Sequence, residues 1–207
     1  MHEGDEHTFD RGRFLRLGAA TVAGAGLIGV PAARAAPPTP APVGDDVAYV
    51  QFAATAELVS VSLGAALTAS RAFTAAERRT LTALRDGDKQ HLARLAAVLG
   101  PDAPQYGDFH IRLPKASALN LRASLLRQAT GLAELVAGVY CSGVGDVADA
   151  GTRTLLGRLL WSEAQHLSAL RLLAGKPAIA SGLPGPVSLD DATPRLDTFL
   201  GDAEPPA

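Results

Sequence analysis

The chain of 207 residues is poor in cysteine and in aromatic side chains. It has one cysteine, and phenylalanine, tyrosine and tryptophan together make up 5% of its residues. A single cysteine excludes an intrachain disulfide framework and any metal site built from several cysteines. The formal net charge of -2 shows no excess of basic residues. We therefore expect no nucleic-acid partner, because such proteins bind by releasing many counterions from phosphates.

The start of the chain also has no apolar run long enough to span a bilayer. A basic stretch, Arg11–Arg16, precedes a mildly apolar run from Leu17 to Val30, and Ala33-Arg34-Ala35 has a small-x-small cleavage pattern. This order is typical of a secretory signal. The run is shorter than the about 20 residues that span a bilayer, so we expect no membrane anchor after cleavage.

The basic stretch resembles a twin-arginine export signal. Phe14 and Leu15 align with the usual Arg-Arg-x-Phe-Leu-Lys pattern, and Gly12 stands where the second arginine is usual. The predicted location is therefore outside the cytoplasm, in the cell envelope or secreted. We expect residues 1–35 to be the signal peptide.

The rest of the chain divides at its proline-rich stretches. Residues 36–44 contain four prolines in a short span and are expected to form a semi-rigid linker. Residues 45–175 are expected to form one domain. Residues 176–207 form a Gly/Pro-rich tail, in which Leu189–Leu200 is a candidate short helix.

Alanine- and leucine-rich segments between turn signals predict four helices and no strands. The second helix is the best marked: Thr74 and Glu77 form a capping box at its start, and Gly100-Pro101 ends it. The other three helices are expected from Asp45 or Asp46 to Arg71, from after Pro114 to about Ser142, and from Asp146 or, as we favour, near Thr152 to Gly175.

The connections between these helices predict their arrangement. The first and third connections are short, so helices one and two, and helices three and four, should form antiparallel hairpins. Residues 101–114 can extend far enough to travel the length of the helices. We therefore expect an all-α four-helix bundle, two antiparallel hairpins joined by one long crossover.

The two halves of the predicted bundle repeat the same polar residues. Each half has a lone Glu and then an acid-x-x-His pair, about 75 residues apart between halves: Glu57, Asp88, His91, Glu134, Glu163 and His166. The i, i+3 spacing places acid and imidazole side by side on the leucine stripe that faces a core. Buried carboxylates repel one another unless they are paired or bind cations. The pattern therefore predicts a metal site.

This pattern resembles the ferritin-like superfamily of di-iron and di-manganese carboxylate proteins, most closely its exported bacterial members. The resemblance implies that all six residues are metal ligands, with Glu57 and Glu134 terminal, Asp88 and Glu163 bridging, and His91 and His166 each completing one metal. It implies two iron or manganese ions per chain, chemistry on oxygen or peroxide, and a possible homo-oligomer. One departure is Asp88, where the family has Glu. Its side chain is one methylene shorter, so a bridging carboxylate at this position reaches less far toward a second metal ion.

A metal-free alternative also fits the pattern. The same polar residues can form a hydrogen-bonded core network, partly protonated because neighbouring carboxylates raise one another's pKa. The protein would then be a non-catalytic binding or stress-protection module. Tyr140 is expected to pack in the core; the alternative is a redox role, as for a tyrosine close to a di-iron site.

Overall fold

The computed structural model describes residues 44–113, 121–179, 182 and 185–201. The predicted signal peptide, and the linker up to residue 43, lie outside these residues. The described chain forms five α-helices: α1 (Asp45–Ala69), α2 (Ala75–Leu99), α3 (Arg122–Asp146), α4 (Ala150–Leu173) and α5 (Leu189–Asp197). The helices α1 to α4 form the predicted all-α bundle, which is confirmed.

The bounds of α2 follow from local chemistry that the sequence displays. The Thr74 hydroxyl accepts the Glu77 amide at 3.2 Å, and the Glu77 carboxylate accepts the Thr74 amide at 2.8 Å. Both amides belong to the first turn, where no helical carbonyl can accept them. At the other end Gly100 takes a φ of 60°, which glycine adopts without strain. The predicted bounds of α2 are confirmed.

The turn between α3 and α4 differs from the expectation. Helix α3 continues past Ser142 to Asp146, and α4 begins at Ala150, between the two expected starts. The carboxylate of Asp46 on α1 accepts the amides of Ala148 and Asp149 at 3.0 and 2.8 Å. Asp149 is also the N-cap of α4, and its side chain accepts the Thr152 amide at 2.6 Å. The turn therefore combines a local cap, which the sequence analysis missed, with bonds from a distant helix.

The two hairpins pack so that α1 runs antiparallel to α3. The Tyr49 hydroxyl near the start of α1 donates to Asp146 at the end of α3, at 2.6 Å. At the opposite end, Arg122 at the start of α3 lies over the Phe73 ring and 2.9 Å from the Glu77 carboxylate. The chain therefore leaves the end of α2 and returns along the bundle before α3 begins, as the long crossover predicts; residues 114–120 of it lie outside the described range.

The core between the helices is built from small and aliphatic side chains. Helix α1 contributes Val50, Ala53 and Val59 with no exposed surface. By length and composition alone α1 is apolar enough to cross a membrane, but 61% of its most apolar stretch is buried inside the protein. Packing against α2 and α3 accounts for that apolarity.

The C-terminal segment packs on the bundle and brings two strands that were not expected. Ala192 and Leu196 of α5 are buried in the core, so the candidate helix at Leu189 is confirmed. The strands β1 (His110–Ile111) and β2 (Leu200–Gly201) pair antiparallel, which corrects the expectation of no strands. Strands of two residues are too short to show an alternating pattern.

The capping box gives a first test of the fold. Replacing Thr74 by alanine removes the acceptor for the Glu77 amide, and we expect the free energy of unfolding to fall by about 1 kcal/mol. Thr80→Ala, within α2, is the control and should leave stability unchanged or slightly raised, because alanine favours helix. Urea unfolding followed by circular dichroism measures both; equal effects of the two substitutions would contradict the role of the cap.

Candidate metal centre

Five of the six predicted site residues meet in the middle of the bundle. Glu57 comes from α1, Asp88 and His91 from α2, and Glu163 and His166 from α4; all five are buried, and Glu57 has no exposed surface. The acid-x-x-His spacing places each pair on one face of its helix. The two imidazole rings lie face to face, with centroids 5.5 Å apart.

The carboxylates and imidazoles lie within bonding distance of one another. His91 Nδ1 is 3.1 Å from Glu163 Oε1 and 3.3 Å from Glu57 Oε1. His166 Nδ1 is 2.9 Å from Asp88 Oδ1 and 3.3 Å from Glu163 Oε1. Each histidine therefore joins carboxylates from two helices, and Glu163 lies between both.

Several of these close contacts lack the alignment of a hydrogen bond. Glu57 Oε2, His91 Nδ1 and Glu163 Oε1 are buried, and no group among the described residues meets them in hydrogen-bonding geometry, although His91 Nδ1 and Glu163 Oε1 lie 3.1 Å apart as a charged pair. One ligand atom from each of Glu57, Asp88, His91 and Glu163 lies within 4.8 Å of the others. Unsatisfied buried polar atoms are costly, so their convergence on one point favours a bound cation there.

The environment shifts the two carboxyl groups on α1 and α2 towards their neutral forms. Burial raises the pKa of Glu57 to about 8, and the nearby charge of Glu163 adds to the effect. Burial also raises the pKa of Asp88. Burial disfavours the charged form of both groups, because a buried negative charge loses its hydration.

The histidines and Glu163 are shifted towards their charged forms. Burial by itself lowers the pKa of His91, but the carboxylates of Glu163 and Glu57 outweigh it and raise the pKa to about 9. For His166 the same effect of burial is outweighed by Asp88 and Glu163, and the pKa rises to about 10. Burial raises the pKa of Glu163, but its bonds to His166 and His91 outweigh this and lower it to about 2.

The sequence of the described bundle matches a known family. Residues 45–176 match the sequence pattern that defines the ferritin-like domain family. The chain belongs to the ferritin-like domain family. No curated protein matches the chain.

The ferritin-like domain does not bring Glu134 into the site, and the expectation that it joins the other five is corrected. Its side chain is 44% exposed, and its carboxylate lies 3.5 Å from the Arg171 guanidinium. Glu134 shares the outer stripe of α3 with Arg127, which is exposed, and Gly131, where an added Cβ would meet nothing within 4 Å. Gly131 therefore marks an open face of α3 rather than room for a buried carboxylate.

Two further residues contact the site and were not predicted there. The Tyr140 hydroxyl on α3 donates to Glu57 Oε1 at 2.7 Å, and the Ser162 hydroxyl lies 2.9 Å from His91 Nε2. Burial and the charge of Glu57 raise the pKa of Tyr140 well above its ordinary value, so it keeps its proton and donates. A buried tyrosine hydroxyl needs a hydrogen-bond partner. The expected burial of Tyr140 could therefore have predicted a contact with a polar residue of the core.

Gly87 provides the space for His166. A Cβ built on Gly87 would lie 2.9 Å from His166 Nε2 and 3.0 Å from its Cε1. Any other residue at position 87 would push the imidazole away from the carboxylates of Asp88 and Glu163. This glycine, in the interior of α2, therefore contributes to the geometry of the site.

The donor set suits a transition metal. Two imidazoles and three carboxylates favour iron, manganese or zinc over calcium, which binds through oxygen alone. The buried atoms left without a partner at Glu57, His91 and Glu163 are the lone pairs that such an ion would use. The residues present therefore fit a metal ion.

The contact between Gly87 and His166 gives a test with a matched control. Alanine in place of a helical glycine stabilises by about 1 kcal/mol where space allows. We expect that gain for Gly157→Ala, where the nearest side-chain atom lies at 3.7 Å. Gly87→Ala should instead lower the free energy of unfolding, because the methyl group displaces His166.

Urea unfolding of both variants in the presence of a chelator measures the difference without any contribution from bound metal. An equal gain in stability for Gly87→Ala and Gly157→Ala would show that His166 is not held against Gly87.

Proposed function

We propose that this protein is an exported ferritin-like metalloprotein that binds iron or manganese and uses it to oxidise iron or consume peroxide. The observation that carries the proposal is the convergence of one ligand atom each from Glu57, Asp88, His91 and Glu163 within 4.8 Å. A bound iron or manganese ion would supply electron transfer with oxygen or peroxide.

The residues around the centre orient the ligands that would hold the metal. Ser162 lies against His91 Nε2, which leaves Nδ1 facing the carboxylates. Tyr140 holds Glu57 Oε1 and leaves Oε2 without a partner among the described residues. Outer contacts of this kind set the orientation and tautomer of metal ligands.

Export is the second part of the proposal, and it is supported by residues 1–35. A basic stretch, a short apolar run and a small-x-small pattern follow one another there. Fractionation of bacterial cells that produce the full chain tests it. A processed form outside the cytoplasm supports export; an unprocessed chain that stays in the cytoplasm contradicts it.

The alternative is a metal-free module in which the same residues form a core network. The observation in its favour is the set of close contacts between each histidine and two carboxylates, at 2.9 to 3.3 Å. These contacts neutralise part of the buried charge without a cation. The two proposals differ in one measurable property, which is stability in the presence of a chelator.

Metal binding should stabilise the folded protein. An ion that binds only the folded state adds about 2.7 kcal/mol to the free energy of unfolding at a concentration one hundred times its Kd. We therefore expect Fe²⁺ or Mn²⁺ to raise the thermal midpoint and a chelator to reverse the rise. His91→Ala should abolish both effects, and the metal-loaded wild type should consume peroxide when the variant does not.

Glu134→Gln is the matched control, because Glu134 lies outside the cluster and pairs with Arg171. It should keep the metal-induced shift. An unchanged midpoint in chelator, together with no metal in the purified protein, would favour the metal-free module. Bound metal without any reaction with oxygen or peroxide would contradict the redox part alone.

A further inference from the structure

We propose that the centre binds one metal ion, held by Glu57, Asp88, His91 and Glu163, and that His166 acts as an outer partner of Asp88 and not as a ligand of a second ion. This inference rests on the proposed metal binding and specifies its stoichiometry. It departs from the two-metal arrangement that the resemblance implies.

The first argument is the size of the cluster. Bonds from a transition metal to nitrogen or oxygen are about 2.0–2.2 Å long, so ligand atoms on opposite sides of one ion are about 4.0–4.4 Å apart. The four ligand atoms of Glu57, Asp88, His91 and Glu163 all lie within 4.8 Å of one another. They therefore fit the sphere of a single ion with only small adjustments.

The second argument is the position of His166. Its Nδ1 lies 2.9 Å from Asp88 Oδ1, the closest contact between a histidine and a carboxylate in the described part of the chain. Its Nε2 lies beside Gly87. His166 is also outside the group of four residues, Glu57, Asp88, His91 and Glu163, whose ligand atoms lie within 4.8 Å of one another.

The third argument is the lack of metal ligands on the face of α3 that lines the space beside His166. A two-metal site in this fold takes a Glu from each of two helices in addition to the two acid-x-x-His pairs. Beside His166 there is a cavity of about 40 Å³, which α3 lines with Ala129, Leu132 and Ala133. None of these side chains can ligate a metal, and Glu134 turns outward to Arg171.

The three observations agree on an asymmetric site. The half around His91 has a lone Glu from α1 and two further carboxylates. The half around His166 has no lone Glu, and His166 lies outside the four-residue group. The space beside it, which Asp88 and Glu163 line together with apolar side chains, has room for about three water molecules by a limit of about 10–15 Å³ per water, so a small molecule fits next to the ion.

Metal stoichiometry of the full chain tests the proposal. After equilibrium dialysis against Mn²⁺ and elemental analysis we expect one ion per chain for the wild type. Electron paramagnetic resonance should show the signal of isolated Mn²⁺, without the exchange coupling of a pair. His166→Ala should still bind one ion, with affinity lowered about 10–100-fold as for the loss of an outer partner. His91→Ala should lose the ion.

The outcomes separate the two proposals. Two ions in the wild type, with an exchange-coupled signal, and one ion in His166→Ala would overturn the single-ion proposal and leave metal binding standing. No bound ion in the wild type would overturn both. Glu134→Gln serves as the control in the same dialysis and should match the wild type, because Glu134 lies on the outer face of α3.

Discussion

The structure depends on the burial of three carboxylates and two imidazoles between helices that are otherwise packed by small aliphatic side chains. Glu57 has no exposed surface and sits on the most apolar helix of the bundle. An isolated buried carboxylate is unstable, so Glu57 requires what the other helices bring to it: His91, Tyr140 and, in our proposal, a cation. The packing of α1, α2, α3 and α4 is therefore tied to the chemistry of the site.

The ends of the bundle hold the site in register. At one end Asp46 accepts two amides of the α3–α4 turn, and at the other Arg122 contacts Phe73 and Glu77. Because both hairpins are fixed at both ends, the acid-x-x-His pairs of α2 and α4 face each other at one level. A slip of a single residue would rotate either pair by about 100° around its helix and out of the core.

The start of α2 and the inward-facing acid-x-x-His pairs could be predicted from the sequence, because both depend on residues within one or two helical turns of one another. The capping box of Thr74 and Glu77 marks the start of α2, and the i, i+3 pairs lie on leucine stripes that have to face a core. Two expectations were wrong, the place of Glu134 and the position of the α3–α4 turn, and both features depend on contacts between helices. Gly131, one turn from Glu134, suits either a buried carboxylate or an open face, and the α3–α4 turn is fixed by Asp46, about one hundred residues away, together with the local cap at Asp149.

The sequence by itself determined the helices, their hairpin order and the residue types available for a metal. The tertiary structure decided which of these residues meet, since the rotation of a helix about its axis is set by its partners. That rotation turned Glu134 out to Arg171 and Tyr140 in to Glu57. The scarcity of cysteine already excluded a site built from several thiolates, and the packing of α3 decided which carboxylates reach the buried cluster.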